Sequence, residues 1–251
     1  MKCGRKAIMW IALALCLICA VLLALALHSR AEHAKPASKD PEGAIAAQED
    51  EDRAVDVPVD FAAWQERNPD VYAWIEYPGT NVDYPIVQSA KDDAYYLRRD
   101  IDGKEAVAGS LYTEHTYNSK TFEDPVTVIY GHNMANRTMF GCLQSHIEAA
   151  DLASTEEYFY VYLPGRILTY RVVGGAPGDD AHILYYNDFS DPAGFSNYFG
   201  NLYAQSGGHV NLPGLLRPNP DDRVVILATC MNGEKYLRYL IIGVLTDDTA
   251  D

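Results

Sequence analysis

Cysteine is scarce in this chain. There are five among 251 residues: Cys3, Cys16, Cys19, Cys142 and Cys230. Only Cys142 and Cys230 fall outside the N-terminal apolar segment and its lead-in, too few for a disulfide scaffold, so whatever folds here must stand on its own core. Basic residues are also few, 20 Lys and Arg against 35 Asp and Glu, for a formal net charge of −15. Lys2, Arg5, Lys6 and Arg30 lie in the first 30 residues with no acid among them, so the remainder carries about −19. Such a domain does not bind nucleic acid or anionic lipid headgroups through bulk electrostatics. No internal repeat is visible. The histidines show neither H-x-x-x-H nor H-E-x-x-H spacing and the two downstream cysteines are far apart, so no metal site is expected.

What is present begins with an apolar run. Ala7 to Leu27 is 21 residues without interruption, and about 20 are enough to span a bilayer. Lys2, Arg5 and Lys6 precede it, so the positive-inside rule leaves residues 1–6 in the cytoplasm and sends the rest of the chain outside. A cleaved signal peptide is the competing reading, but its apolar core is roughly 7–15 residues, shorter than this run. The expectation is an uncleaved signal-anchor helix at 7–27 in the cell membrane, single-pass, with an extracellular domain. Cys16 and Cys19 form a C-x-x-C inside this run, with no His or acid nearby, and are read as lipid-facing bystanders.

Residues 28–57 are rich in Ala, Glu, Asp and Lys, include QEDED and lack aromatics from Ala31 onward. They read as a solvated, disordered acidic stalk. Aromatics return abruptly in VPVDFAAWQERNPDVYAWIEYPG, and a folded domain is expected over 58–251. Asp60 is a helix N-cap candidate and Asn68-Pro69 a stop. Eight runs rich in Val, Ile and Tyr follow: VYAWIEY, NVDYPIV, GSLYT, PVTVIYGH, YFYVYLP, RILTYRVV, RVVILATC and YLRYLIIGVL. They argue for an all-β architecture, closed or nearly closed. Two helical inserts interrupt them, MFGCLQSHIEAADLAS after the fourth run and FSDPAGFSNYFGNLYAQSG between the sixth and seventh. Cys142 sits in the first beside Phe140 and Leu143, where core packing is its expected role.

Two residues near the C-terminus need explaining. Cys230 ends an apolar run, and Arg238 interrupts the next one. A lone strand Cys is usually a small buried hydrophobe, and a strand Arg can be a charge that keeps a sheet edge from aggregating. Against that stands chemistry. A thiolate is a nucleophile when a basic or cationic group attends it. Of the five histidines beyond the stalk, His115 lies in the polar loop TEHTYN, His146 in a helix, and His182 and His209 in loops. His132 alone ends a strand-like run, VTVIYGHNM, as Cys230 ends its own, so the two could meet at one barrel rim. Arg238 stays protonated and cannot act as a base, but its fixed donors suit a carbonyl or its oxyanion. Asn232-Gly233 could supply the turn that brings it back towards the thiol.

These residues and their surroundings resemble the sortases, membrane-anchored cysteine transpeptidases of Gram-positive bacteria, and class B in particular. The T-L-x-T-C nucleophile strand of that family is matched at Leu227, Thr229 and Cys230, its following Arg at Arg238, and its strand-end His at His132 in YGHNM. ERNPDVYAWIEYPGTNVDYPIVQ, YYLRRDIDG and MFGCL are further class B-like segments, and the likeness runs from about Asp60 to Leu245. Ile226 replaces the first Thr of the motif and Ala228 occupies its variable position.

The resemblance implies an eight-stranded β-barrel with helical inserts and a two-step acyl transfer without a cofactor. Cys230 would attack the bond after Thr in the C-terminal sorting signal of a secreted protein. The amine of a peptidoglycan precursor or a pilin would then resolve the thioacyl enzyme, His132 would move the protons, and Arg238 would hold the carbonyl. Thr229, Ala228 and Tyr198 of the second insert are the substrate-binding candidates. A tethered cysteine hydrolase with water as acceptor, and a non-catalytic surface-binding barrel with an inert Cys230, are the competing readings.

Overall fold

The computed structural model describes residues 55–250. The expected cytoplasmic N-terminus at 1–6, the anchor at 7–27 and the stalk as far as residue 54 lie outside the described residues. Among the described residues no helix is long and apolar enough to cross a membrane.

The domain opens with helix α1 (Phe61–Arg67), and both expected boundary signals operate. Ala63 N–H donates to the Asp60 carboxylate at 3.0 Å, and Asn68 takes up extended backbone ahead of Pro69. Eight strands follow: β1 (Val71–Tyr77), β2 (Val82–Val87), β3 (Leu111–Tyr112), β4 (Val126–Tyr130), β5 (Tyr158–Leu163), β6 (Arg166–Asp179), β7 (Val224–Met231) and β8 (Glu234–Asp248). They close into a barrel in the order β1-β2-β3-β4-β7-β8-β6-β5, with β5 pairing back onto β1.

Side-chain alternation explains why several strands read as unbroken apolar runs. In β7, Val225 and Leu227 point into the barrel with Ile129, Phe159 and Ile241. Val224, Ile226 and Ala228 face outward, yet they are buried beneath Phe195, Phe199 and Leu202. Those three residues are the apolar face of α4 (Pro192–Tyr203), whose cap Asp191 accepts from the N–H groups of Ala193 and Gly194. A strand covered on both faces has no need of polar alternation.

Several strands depart from the expected runs: β3 keeps only Leu111–Tyr112, β8 extends at both ends to Glu234 and Asp248, and two further departures shape one rim of the barrel. Strand β6 continues six residues past Val173, through GGAPGD to Asp179, paired with β8 throughout. Strand β4 ends at Tyr130, so His132 does not end a strand; it lies two residues beyond one.

The pairing directions build the site. Most neighbouring strands are antiparallel, but β4 and β7 are parallel, in register from Val126↔Val224 to Tyr130↔Ala228. Parallel strands finish at the same rim, so the chain leaving β4 meets the end of β7. Strand β8 returns antiparallel to β7 after Asn232-Gly233, with Gly233 at φ +79°, and therefore starts at that rim as well. The β7–β8 turn and the distant chain leaving β4 thus converge at one rim by topology alone.

Candidate active site

Cys230 and Arg238 are cross-strand partners on β7 and β8. Cys230 is exposed, whereas Thr229 beside it is buried, as strand alternation requires. Arg238 does not lie on a sheet edge, since β8 is paired with β7 on one side and β6 on the other. Its guanidinium donates to the carbonyl of Leu237 at 3.3 Å, and among the described residues it forms no ion pair with a carboxylate.

The chain leaving β4 keeps one more ladder bond, Gly131 N–H to Ala228 O at 3.1 Å. Glycine is required at this point, because a Cβ on residue 131 would collide with Leu111 and Phe140. His132 comes next, and its Nε2 lies 2.6 Å from the carbonyl oxygen of Leu97, at the end of a short turn (Tyr95–Arg98) between β2 and β3. A carbonyl only accepts, so this contact places a proton on Nε2 and leaves Nδ1 as the basic nitrogen of the neutral ring.

Cys230, His132 and Arg238 line a single cavity of about 250 Å³, together with Thr229 and Ala228. The Thr229 hydroxyl is buried without a protein hydrogen-bond partner. Beyond these residues the wall turns polar and aromatic. Tyr112 and Tyr130, paired across β3 and β4, stack at 5.4 Å between ring centres. Behind them Glu114 is buried, with His182 Nε2 3.0 Å from its Oε2. His182 Nδ1 accepts from the Tyr185 N–H at 3.1 Å, capping the short helix α3 (Ile183–Tyr186), so the ring proton sits on Nε2 and faces the carboxylate. Burial pushes the Glu114 carboxyl above the usual carboxylate range, and His182 works against that.

Five of the six expected site residues therefore share one cavity. The sixth, Tyr198, lines an adjoining one with Asn197 and Asn201, and the two cavities have Ala181 and Ile183 in common. The reason lies in the helix. Phe195, Phe199 and Leu202 set which face of α4 packs down, and Tyr198 on its flank stacks edge-on against Phe189 at 5.0 Å. The wall of the Cys230 cavity on that side comes from Asp180 to Ile183, at the end of the unforeseen extension of β6.

Leu97, Glu114 and His182 carry no signal in the sequence that marks them for this cavity. His182 looks like one loop histidine among several, and Glu114 sits beside His115, which instead meets Asp93 at 2.6 Å. Cys142 is 3% exposed within the core, as expected. Among the described residues no group of His, Cys, Asp and Glu is arranged to hold a metal ion.

No family model matches the chain. It is 30% identical over 174 residues to sortase B of Listeria monocytogenes serovar 1/2a, covering 68% of this chain and 67% of that protein. It is 28% identical over 88 residues to sortase B of Staphylococcus aureus, covering 35% of each. The X-ray structure of Clostridium perfringens sortase B superposes with a TM-score of 0.64 at 25% identity, covering 74% of this chain and all of that one. A Staphylococcus aureus sortase B–substrate complex shares the fold, with a TM-score of 0.62 at 19% identity over 74% of this chain and 86% of that one. The chain belongs to the sortase B family, a group of cysteine transpeptidases.

Proposed function

We propose that this sortase cleaves a C-terminal sorting signal on secreted proteins after Thr, with Cys230 as nucleophile, and passes the acyl group to an amine of a peptidoglycan precursor or a pilin. The Cys230 thiol gives its proton to Nδ1 of His132, and the resulting thiolate adds to the scissile carbonyl. The tetrahedral oxyanion is held by Arg238, whose guanidinium has no competing carboxylate among the described residues. Collapse forms the thioester and expels the amine of the downstream peptide, which takes its proton from His132. The acceptor amine then attacks the thioester, loses a proton to His132, and releases the thiolate. Thr229 and Ala228 line the acyl side beside the nucleophile, and Tyr198 borders the neighbouring cavity, which more distant substrate residues would occupy. Residues 7–27 anchor the enzyme in the cell membrane with its barrel outside, where secreted substrate and lipid-linked acceptor are both concentrated.

The observation that carries this reading is the register: Cys230 opposite Arg238, beside a parallel β4 that delivers His132 to the same cavity. The test incubates the full chain with a sorting-peptide library and an amine acceptor, reading products by mass spectrometry. Aminolysis products cleaved after Thr are expected. They should vanish in Cys230→Ala and persist in Cys142→Ala. Full activity in Cys230→Ala would remove the proposed nucleophile, and hydrolysis alone in the presence of amine would make water the acceptor.

A further inference from the structure

Backbone pairing grows weak where the proposed chemistry takes place. The β7–β8 ladder slips register directly after the Cys230–Arg238 pair, and His132 has already left β4. One side chain bridges the two segments. Asn133 Nδ2 donates to the Cys230 carbonyl at 2.7 Å and to Asn232 Oδ1 at 2.9 Å. Both hydrogens of that amide are thus engaged by acceptors that flank the nucleophile.

The bridge is itself held from behind. The Asn232 backbone N–H donates to Gln144 Oε1 at 3.1 Å, and Gln144 is only 4% exposed. The Gln144 amide donates in turn to Glu148 Oε1 at 2.8 Å, and His209 Nδ1 stands 2.7 Å from the same oxygen. Gln144 and Glu148 lie one turn apart on α2 (Leu143–Ala149). That helix belongs to the first insert, and its Leu143 and Ile147 pack in the core. Gln144 and Glu148 on the same helix, with Asn232 and Asn133, form a continuous line from exposed His209 to the carbonyl of the nucleophile.

We propose that Asn133, fixed through Asn232 by Gln144, is a positioning residue that sets Cys230 against His132 in both acyl-transfer steps. The inference rests on Cys230 and His132 being the reacting pair. Neither Asn133 nor Gln144 touches substrate in this scheme; they act through the strand end and the loop they join. Positional errors of about an ångström can cost on the order of 10²-fold in rate, so loss of the bridge acts on turnover and leaves binding alone.

The test uses the full chain with a sorting peptide and an amine acceptor. Asn133→Ala should lower kcat about 10- to 100-fold, with KM for the peptide within about twofold of wild type. Asn133→Asp, the same shape with no donor, should be at least as slow. Gln144→Met should lower kcat by a smaller factor, and Asn133→Ala/Gln144→Met should be no slower than Asn133→Ala, because both changes cut one line. A wild-type kcat in Asn133→Ala and Asn133→Asp would overturn the proposal. So would a fall in kcat matched by a rise in KM and a lost unfolding transition in all three single variants, which is a general structural effect. Cys230→Ala separates this from the reading beneath it. An active Cys230→Ala overturns both, whereas an inactive one beside an unimpaired Asn133→Ala overturns the positioning role alone.

Discussion

The two ends of the β7–β8 ladder both carry arginine, and they treat it in opposite ways. At the rim away from the cavity, Asp248 on β8 accepts from Arg166 through Nε at 2.8 Å and Nη2 at 2.5 Å, and from Arg223 at 3.0 Å. The Asp248 side chain is almost wholly inaccessible, and the fork-shaped donor set matches its two oxygens. At the other rim Arg238 faces Cys230 with no carboxylate partner among the described residues, its guanidinium near a cavity. A cation saturated by a buried carboxylate closes a barrel end. A cation left without one, beside a thiol, is available to a ligand. Residue type alone cannot tell the two apart; the partner does.

Replacing each arginine by lysine should break the comparison most sharply if it is wrong. If Arg238 served only as positive charge near the thiol, Arg238→Lys would retain most activity. If it binds the scissile carbonyl and its oxyanion, the planar fork matters and Lys offers only a flexible point charge. Losing one oxyanion donor typically costs about 10²–10³ in rate, and a drop of that order in kcat/KM is expected for Arg238→Lys, with the unfolding midpoint unchanged. Arg223→Lys, at the closed rim, should leave kcat/KM within about twofold. Equal effects on turnover from both substitutions would abolish the distinction between the rims.

The converse change belongs to the closed rim. Asp248→Asn removes the charge between Arg166 and Arg223, and stripping one partner from a buried pair costs about 3 kcal/mol. Urea unfolding at neutral pH should register that loss, while kcat per folded molecule stays at the wild-type level. A stability unchanged by Asp248→Asn would show that the far rim is held by the ladder alone.

Much of this was legible in the chain. The eight strands announced themselves because Val, Ile and Tyr cluster where side chains are buried, and Asp60 and Asn68-Pro69 mark α1 because capping is local. Cys230 and Arg238 stood out as exceptions within apolar runs, and Gly131-His132 as the tail of another. What could not be read depends on neighbours remote in sequence. The parallel register of β4 and β7, which brings His132 to Cys230, joins residues about a hundred positions apart. Glu114, His182, Asn133 and Gln144 are ordinary polar residues until the barrel closes and assigns their partners. The extension of β6 was hidden for another reason: GGAPGD carries the Gly and Pro that usually end strands, yet Pro177 pairs with Tyr239 and Gly178 with Arg238. That hidden stretch leads directly into the cavity wall formed by residues 180–183.

The smallest effect should come from acid, and it tests whether the closed rim is electrostatic at all. The two arginines hold the Asp248 carboxyl well below its ordinary 3.8, at about 2, with the Arg166 hydrogen bond the largest cause and burial working against it. The folded value lies below the unfolded one, so the unfolded chain takes up this proton first as pH falls. The stabilisation is therefore whole above about pH 4–5 and is lost as pH falls through about 4 to 2, amounting to about 2 kcal/mol for a shift of that size. Other carboxylates titrate over the same range, so total acid stability says little. The difference between wild type and Asp248→Asn isolates this one group. Unfolding free energies of the two proteins from urea titrations, followed from pH 6 downward, should converge by about 2 kcal/mol between pH 4 and pH 2. A gap that stays constant over that range would mean that hydrogen-bond geometry rather than charge holds the rim, and that Asp248 and its arginines differ from Arg238 in packing alone.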